Sequence, residues 1–170
     1  DADTARATEL LLAKLAGFNG QFEAAYAAVW RRKLGLMDER EGDMALVRAL
    51  LAILAADRVD FTGFLRALAG CAGAAGPERQ DHWFADPGPW HAWWSQWRER
   101  LQAEGRSVQL HGALMQTANP AYIARNHVVE GMIGAATAGD LGPFERLNRV
   151  LSRPFEDQAE AEDLARGPGQ

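Results

Sequence analysis

The sequence predicts an all-α protein, a bundle-like domain of about eight or nine helices. Ala and Leu, which are strong helix formers, are abundant, and the period-2 alternation of apolar and polar residues that marks strands is nearly absent. A length of 170 residues, 48% of them hydrophobic and 24% charged, fits one folded domain with a sizeable core. We therefore predict a single helical domain over residues 1–170, in which segment 156–170 forms a loose tail.

The first half of the chain carries apolar residues at spacings of three and four, which is typical of helices with one buried face. Gly17 is predicted to separate the first two helices, because glycine weakens a helix interior. Asp60 and Thr62 can cap a shorter helix that ends at Gly70, and residues 71–80 are predicted to form a loop. The longer predicted helices of this half span about residues 4–15, 19–34 and 39–56.

The second half contains an Asn-Pro pair that is typical of a helix start. Asn119 is a favourable N-cap, and Pro120 suits the first helical position, where an N–H group has no intrahelical acceptor. Gly131 and Gly134, later in this helix, are expected to let another helix approach closely. The predicted helices of this half span about residues 90–103, 120–138 and 143–151.

Charge, hydropathy and cysteine content exclude several classes of protein. A net charge of -5 argues against a general nucleic-acid-binding surface. No run of 18 apolar residues is present, so no conventional membrane-spanning helix is predicted. Cys71 is the single cysteine and cannot form an internal disulfide, which favours a reducing compartment. We expect neither a nucleic acid nor a membrane as a partner.

The tryptophan-rich segment has two possible uses, an aromatic stacking platform or the buried face of a helix. Trp90, Trp93, Trp94 and Trp97, together with Leu101, recur at helical spacing. This spacing favours core packing, with Trp94 at the flank of the buried face. The acidic charge balance further weakens a role in stacking on single-stranded nucleic acid.

No pattern predicts a catalytic, cofactor-binding or metal-binding residue in this chain. The four histidines form no HExxH pair, and no carboxylate or cysteine spacing completes a zinc site. The carboxylates in segments 38–41 and 156–163 imply no apolar pocket and are interpreted as solvent-facing or disordered. No GxxxxGK[ST] motif and no glycine-rich loop after a strand is present to cradle a phosphate group.

The stretch NPAYIARNHVVEG, at residues 119–131, contains a candidate polar clamp. An arginine on the inner side of a helix must find partners, because burying it unpaired is costly. Its five donors could bind helix carbonyls or a carboxylate from another segment, and the asparagine amide could do likewise. Direct catalysis is the alternative interpretation. The predicted structural or interdomain clamp consists of Asn119, Pro120, Tyr122, Arg125 and Asn126.

An ordered series of motifs spans about residues 22–155. It includes Lys33-Leu34-Gly35-Leu36, Asp60-Phe61-Thr62, Phe64-Leu65, Leu68, Trp97-Arg98, Arg100-Leu101, Asn119-Pro120, Tyr122-Ile123, Arg125-Asn126, Gly139-Asp140, Leu147 and Arg153-Pro154-Phe155. This series resembles the C-terminal part of the selenoprotein O family. The most specific element is 119–126, where the family signature is Asn-Pro-Lys-Tyr-Val-Leu-Arg-Asn. Ala121 and His127 depart from the family pattern, which usually has Lys and an aromatic residue there.

The resemblance implies a kinase-like, or pseudokinase, fold that works as a protein adenylyltransferase. Such proteins transfer AMP from ATP to Ser, Thr or Tyr hydroxyls of protein substrates, using Mg or Mn. Their catalytic and metal-binding residues precede the C-terminal region, and this chain has no strand-borne Lys, HRD-like loop or DFG. We therefore expect a non-catalytic region without a cofactor of its own. It would support the kinase-like N-terminal portion of the same chain in the bacterial cytoplasm.

The alternative is a stand-alone helical protein-interaction module, with the tryptophan-rich region as its partner groove. Residue 1 is Asp and not Met, so we expect the chain to be part of a longer protein or the product of processing. The length of the gene distinguishes the two hypotheses.

Overall fold

The computed structural model describes residues 2–167, and every regular element within them is helical. The all-α prediction is therefore confirmed. Within these residues, no helix is both long enough and apolar enough to cross a membrane. The described elements are α1 (Ala2–Lys33), α2 (Asp43–Ala56), α3 (Phe61–Ala69), α4 (Gly88–Gln102), α5 (Val108–Ala118), α6 (Asn126–Thr137), α7 (Gly142–Leu151) and α8 (Glu162–Ala165), with 3₁₀ turns at Glu78–Trp83 and Ala159–Ala161.

The main apolar cluster is built around the buried face of α4. Trp90, Trp93 and Trp97 are almost fully buried and stack along the helix, with ring centroids 5.6 and 5.7 Å apart. Each indole also donates a hydrogen bond to a backbone carbonyl oxygen, Trp90 to Pro77 at 3.1 Å, Trp93 to Leu46 at 2.8 Å and Trp97 to Leu34 at 2.9 Å. The prediction of core packing is confirmed, and Trp94 lies half-buried at the flank.

A second, smaller apolar cluster forms where the last part of the chain folds back. Tyr122, Leu147 and Val150 pack there against Ala161 and Leu164, and all five are buried. The prediction of a loose tail is wrong for the described residues up to 167, because this tail contributes two apolar side chains to a core. Residues 168–170 lie outside the described residues.

Helix α1 is continuous where two helices were predicted. The break expected near Gly17 is wrong, since α1 runs from Ala2 to Lys33 without interruption. Glycine weakens a helix by about 1 kcal/mol relative to alanine but does not forbid helical geometry. The low helix propensity of Gly17 is therefore not sufficient to interrupt α1.

The Asn-Pro pair ends a helix instead of starting one. Asn119 is the C-cap of α5 and is extended, with φ -117° and ψ 106°. A residue before proline is driven out of the helical region by its contact with the ring, which explains this stop. The predicted start of a helix at Pro120 is wrong, because α6 begins at Asn126 after an extended Arg125.

Helix α5 was not among the predicted helices, although the sequence holds a signal for it. The Ser107 hydroxyl oxygen accepts a hydrogen bond from the Leu110 N–H at 3.3 Å, as an N-cap does. The expected close approach at Gly131 and Gly134 is also wrong. A Cβ atom added at either position would meet no atom within 4 Å.

Gly35 joins α1 to the rest of the main cluster and is held in a conformation that favours glycine. Its φ is +74°, and a Cβ atom there would lie 3.0 Å from both the His111 carbonyl oxygen and the Met115 Cγ. The turn after α1 can therefore be this tight, and α5 this close, only without a side chain at this position.

We expect Gly35→Ala to destabilise the fold more than Gly105→Ala. Gly105 has a φ of +65° but open space around an added Cβ, so alanine there adds only backbone strain of about 1–2 kcal/mol. Alanine at position 35 adds steric overlap that costs about another 1–3 kcal/mol. Urea unfolding of the two variants measures the difference. Equal losses of stability would contradict the close packing described for Gly35.

Candidate functional site

Arg125 and Asp60 form the centre of the predicted clamp. The Arg125 side chain is buried and donates to the two carboxylate oxygens of Asp60, from Nη1 to Oδ1 at 3.2 Å and from Nη2 to Oδ2 at 2.7 Å. Nη2 also donates to the Ala165 carbonyl oxygen at 2.8 Å. One guanidinium therefore ties the start of α3, the start of α6 and the end of α8. Its Nε has no hydrogen-bond partner, so the clamp is not fully satisfied.

The position of the Asp60 carboxylate depends on a small neighbour and on the helix it precedes. Asp60 is the N-cap residue of α3, but its side chain accepts no capping hydrogen bond and binds Arg125 instead. A carboxylate near a helix N-terminus is stabilised by the helix dipole. A Cβ atom on Gly63 would lie 2.7 Å from Asp60 Oδ2, so a side chain at position 63 would displace this carboxylate.

Asn119 ties the end of α5 to the end of α1. Its Nδ2 donates to the Lys33 carbonyl oxygen at 2.8 Å, and its Oδ1 accepts from Lys33 Nζ at 3.2 Å. The same ammonium group donates to the Ala118 carbonyl oxygen at 3.2 Å. Burial lowers the pKa of Lys33 from its ordinary value. The buried Asn119 therefore connects two helix termini whose last carbonyl groups have no partner within their own helix.

Tyr122 holds the last part of the chain in place. Its hydroxyl donates to the Gln158 carbonyl oxygen and accepts from the Gln158 N–H, each at 2.9 Å. The Gln158 side chain in turn donates to the carbonyl oxygen of Val150, in the last turn of α7, at 3.1 Å and to that of Arg153, just after the helix, at 3.0 Å. The tail is therefore fixed by hydrogen bonds as well as by its apolar residues.

Pro120 and Asn126 contribute differently from the other three predicted clamp residues. Pro120 is half-buried in the extended connection between α5 and α6, and the Ala121 N–H beside it donates to the Pro154 carbonyl oxygen at 2.8 Å. Asn126 is exposed at the first position of α6, and its side chain makes none of the contacts of the clamp. Its expected role as a tie is not seen.

A second polar network, around Arg100, was not singled out from the sequence. Arg100 Nε donates to Asp43 Oδ1 at 2.7 Å and Nη1 donates to Glu104 Oε1 at 2.8 Å, and both carboxylates are buried. Burial alone would lower the pKa of Arg100, but its hydrogen bonds to these carboxylates raise it. Glu104 also accepts from the backbone N–H groups of Met37 and Asp38, at 3.1 and 3.2 Å. The network thus closes the connection between α1 and α2.

The ionisable groups of both networks are paired with each other by short hydrogen bonds. Within residues 2–167, no group of three or more His, Cys, Asp or Glu side chains is placed to hold a metal ion. His111 is buried and its Nδ1 lies 2.7 Å from the Gly35 carbonyl oxygen, so this histidine binds the backbone. Burial raises the pKa of the Cys71 thiol, which keeps it protonated and weakly nucleophilic. The side chains of the Arg100 and Arg125 networks therefore hold helix ends together.

Comparison with known proteins places the chain in a family. The model of the protein adenylyltransferase SelO family matches residues 5–152, most of the chain. This chain belongs to the SelO family. The recognition made from its motifs is thereby confirmed, and the clamp residues 119–126 all lie inside the matched range.

Relatives that carry the name protein nucleotidyltransferase YdiU are similar over almost the whole chain. The protein from Methylorubrum populi is 43% identical over 98% of this chain, and that from Nitrobacter winogradskyi is 41% identical over 96%. The protein from Alkalilimnicola ehrlichii is 41% identical over 99%. The matches cover 35%, 33% and 34% of those relatives. The chain therefore spans about a third of the length of the curated relatives it matches.

We expect Arg125→Ala to lower the free energy of unfolding by about 2–4 kcal/mol, because it leaves Asp60 half-buried without its charge partner. Asn126→Ala is the matched control, since its exposed side chain predicts a change within about 0.5 kcal/mol. A double-mutant cycle with Asp60→Ala should give a coupling of about 0.5–3 kcal/mol. Chemical denaturation of the wild-type protein and the four variants measures these changes. Additive effects of the two mutations would contradict the clamp.

Proposed function

We propose that this chain is the helical, non-catalytic region of a longer protein adenylyltransferase. The intact protein would transfer AMP from ATP to Ser, Thr or Tyr hydroxyls of protein substrates, with Mg or Mn, in the bacterial cytoplasm. The observation that carries the proposal is the family match over residues 5–152 of a chain about a third as long as its relatives. The other two thirds would contain the kinase-like portion and the nucleotide site.

The use of charged groups within the chain supports a non-catalytic role. Transfer from ATP requires a cation that grips phosphate, carboxylates that hold the metal and a base, all in one cleft. Here the carboxylates of Asp43 and Glu104 accept from Arg100, and that of Asp60 accepts from Arg125. Binding a metal or a phosphate with these groups would first break the pairs that hold the helices together.

A supporting role follows from what the paired groups connect. They fix the ends of α1, α3, α5, α6 and α8 against distant segments, which gives a frame with defined geometry. We propose that this frame holds the kinase-like N-terminal portion and keeps its catalytic loops in position. The protein substrates would bind the intact enzyme.

The alternative function is a stand-alone helical protein-interaction module, and one observation favours it. Helix α1 exposes several large apolar side chains, as an interaction surface does. The tryptophan-rich region is not the groove of such a module, because Trp90, Trp93 and Trp97 are buried in the main cluster. A module of this kind would act without a nucleotide-binding portion.

Removal of the helical region from the intact enzyme should abolish or strongly reduce AMP transfer and lower the melting temperature of the remainder. The reason is that the kinase-like portion would lose the surface that supports it. Transfer of labelled AMP to a protein substrate and thermal unfolding measure the two effects. Equal activity and equal melting temperature of the truncated enzyme would eliminate the supporting role.

The Arg125→Ala variant of the intact enzyme separates a structural from a catalytic use of this arginine. We expect a lower melting temperature but an unchanged KM for ATP when the assay is run well below that temperature, because Arg125 binds Asp60 and not nucleotide. Asn126→Ala again serves as the control. A KM that rises at least tenfold while the melting temperature stays constant would place Arg125 in the nucleotide site.

A further inference from the structure

Most of helix α1 stands clear of the two apolar clusters. The helix contains 32 residues, and residues 3–26 are all exposed. With a rise of about 1.5 Å per residue, this exposed part is about 36 Å long. Contact with the main cluster is made near its C-terminal end, where Trp30 is buried.

The exposed part carries a stripe of large apolar side chains on one side, which we call the α1 apolar face. Leu11, Leu15, Phe18 and Phe22 are 57–64% exposed, and Tyr26 is 39% exposed. Their spacing of three or four residues places them along one line of the helix. A contiguous stripe of this kind marks an interaction surface, unlike single apolar residues scattered on a surface.

The α1 apolar face is continuous with the main core through a series of ring contacts. Phe18 stacks on Phe22 at 6.2 Å, Phe22 on Tyr26 at 5.9 Å, and Tyr26 meets the buried Trp30 at 6.2 Å. Trp30 in turn contacts Phe61 of α3 at 5.8 Å. The exposed rings thus extend the core outward in one line, which indicates a core that continues into another body.

The sequence of α1 also requires a partner for the helix to persist. Gly17 and Gly20 lie in its exposed middle and weaken it relative to alanine, and neither makes a close contact that would explain a glycine. In proteins, most of the stability of a helix comes from packing of its apolar face. This segment therefore needs a surface against the α1 apolar face.

We propose that the α1 apolar face docks on the kinase-like portion of the same polypeptide, an inference that rests on the proposed function. The family match begins at residue 5, so nearly all of α1 belongs to the region that the family shares. The matched relatives have about two thirds of their length outside this region, enough chain to form the surface that covers the helix. A second copy of this chain is the competing occupant.

The expected partner surface is apolar and contacts α1 mainly along the α1 apolar face, although the exposed Leu10 and Leu12 lie to either side of that line. The opposite side of the helix carries small residues such as Ala16 and Ala24, both exposed, and charged residues such as Arg6. A helix of this kind lies on the surface of a folded body and is not inserted into its interior. Docking also fixes the direction in which α1 enters the Lys33–Asn119 tie.

Hydrogen exchange on the intact protein tests the proposal. In the monomeric intact protein we expect the backbone amides of residues 8–29 to exchange at least a hundredfold more slowly than an unstructured chain. Sedimentation at the same concentrations gives the oligomeric state. Fast exchange of α1 in the intact monomer overturns the proposal. So does protection that appears only at concentrations where a dimer forms, since that outcome assigns the α1 apolar face to a second copy.

Two double variants of the intact protein make the test specific to one side of the helix. Phe18→Asp with Phe22→Asp should reduce the protection of α1 at least tenfold and leave α4 protected, because both rings are exposed and stack along α1 itself. Ala16→Asp with Ala24→Asp introduces the same charges two residues away, on the opposite side, and should leave α1 protected. Equal loss of protection in both variants overturns the proposal.

The readout separates this inference from the proposed function. Protection of α1 in an intact monomer that transfers no AMP supports docking and overturns only the proposed activity. Active enzyme with an unprotected α1 supports the activity and overturns docking. The exchange measurement on the unmodified protein decides between these outcomes even if the Phe18 and Phe22 double variant does not fold.

Discussion

The pairing of Arg125 with Asp60 is a contact that joins the two apolar clusters of the chain in one arrangement. Asp60 directly precedes the residues of α3 that enter the main cluster, and Arg125 follows Tyr122 of the second cluster. A buried guanidinium without its carboxylate would cost several kcal/mol, so a geometry that separates the two is strongly disfavoured. The bond to Ala165 extends this constraint to α8. The absence of a side chain at Gly63 makes room for the Asp60 carboxylate.

Polar ties at helix ends carry much of the specificity of this fold. Helix termini leave N–H and carbonyl groups without intrahelical partners, and these groups must be paired when they are buried. In this chain several partners come from distant segments, as when Asn119 binds the carbonyl of Lys33 or Arg125 binds the carbonyl of Ala165. Each pairing satisfies a terminus and at the same time sets where the next helix lies. The apolar clusters provide stability, whereas the hydrogen bonds at the helix ends determine which arrangement of the helices is adopted.

Features with a purely local cause were predictable from the sequence, whereas those decided by distant contacts were not. The spacing of the tryptophans fixes the buried face of α4, because three of them repeat at helical intervals. An Asn-Pro pair such as Asn119-Pro120 is compatible with both a helix start and a helix end. Here it ends a helix because α5 precedes it. Glu104 looks like a surface carboxylate in sequence, yet its partners include the N–H groups of residues 37 and 38. The Arg125 clamp was predictable in kind, since a buried arginine needs a partner, but Asp60 lies 65 positions away.

Because α1 is long, a small tilt at one end produces a large displacement of the other end. About 28 Å separate Leu11 from Trp30 along the helix axis, and only the Trp30 end is anchored in the main cluster. A tilt of about 10° at that anchor carries the Leu11 end through about 5 Å, roughly the length of one helical turn. A body attached along α1 would therefore be displaced by several ångströms when the packing around Trp30 and Phe61 shifts slightly.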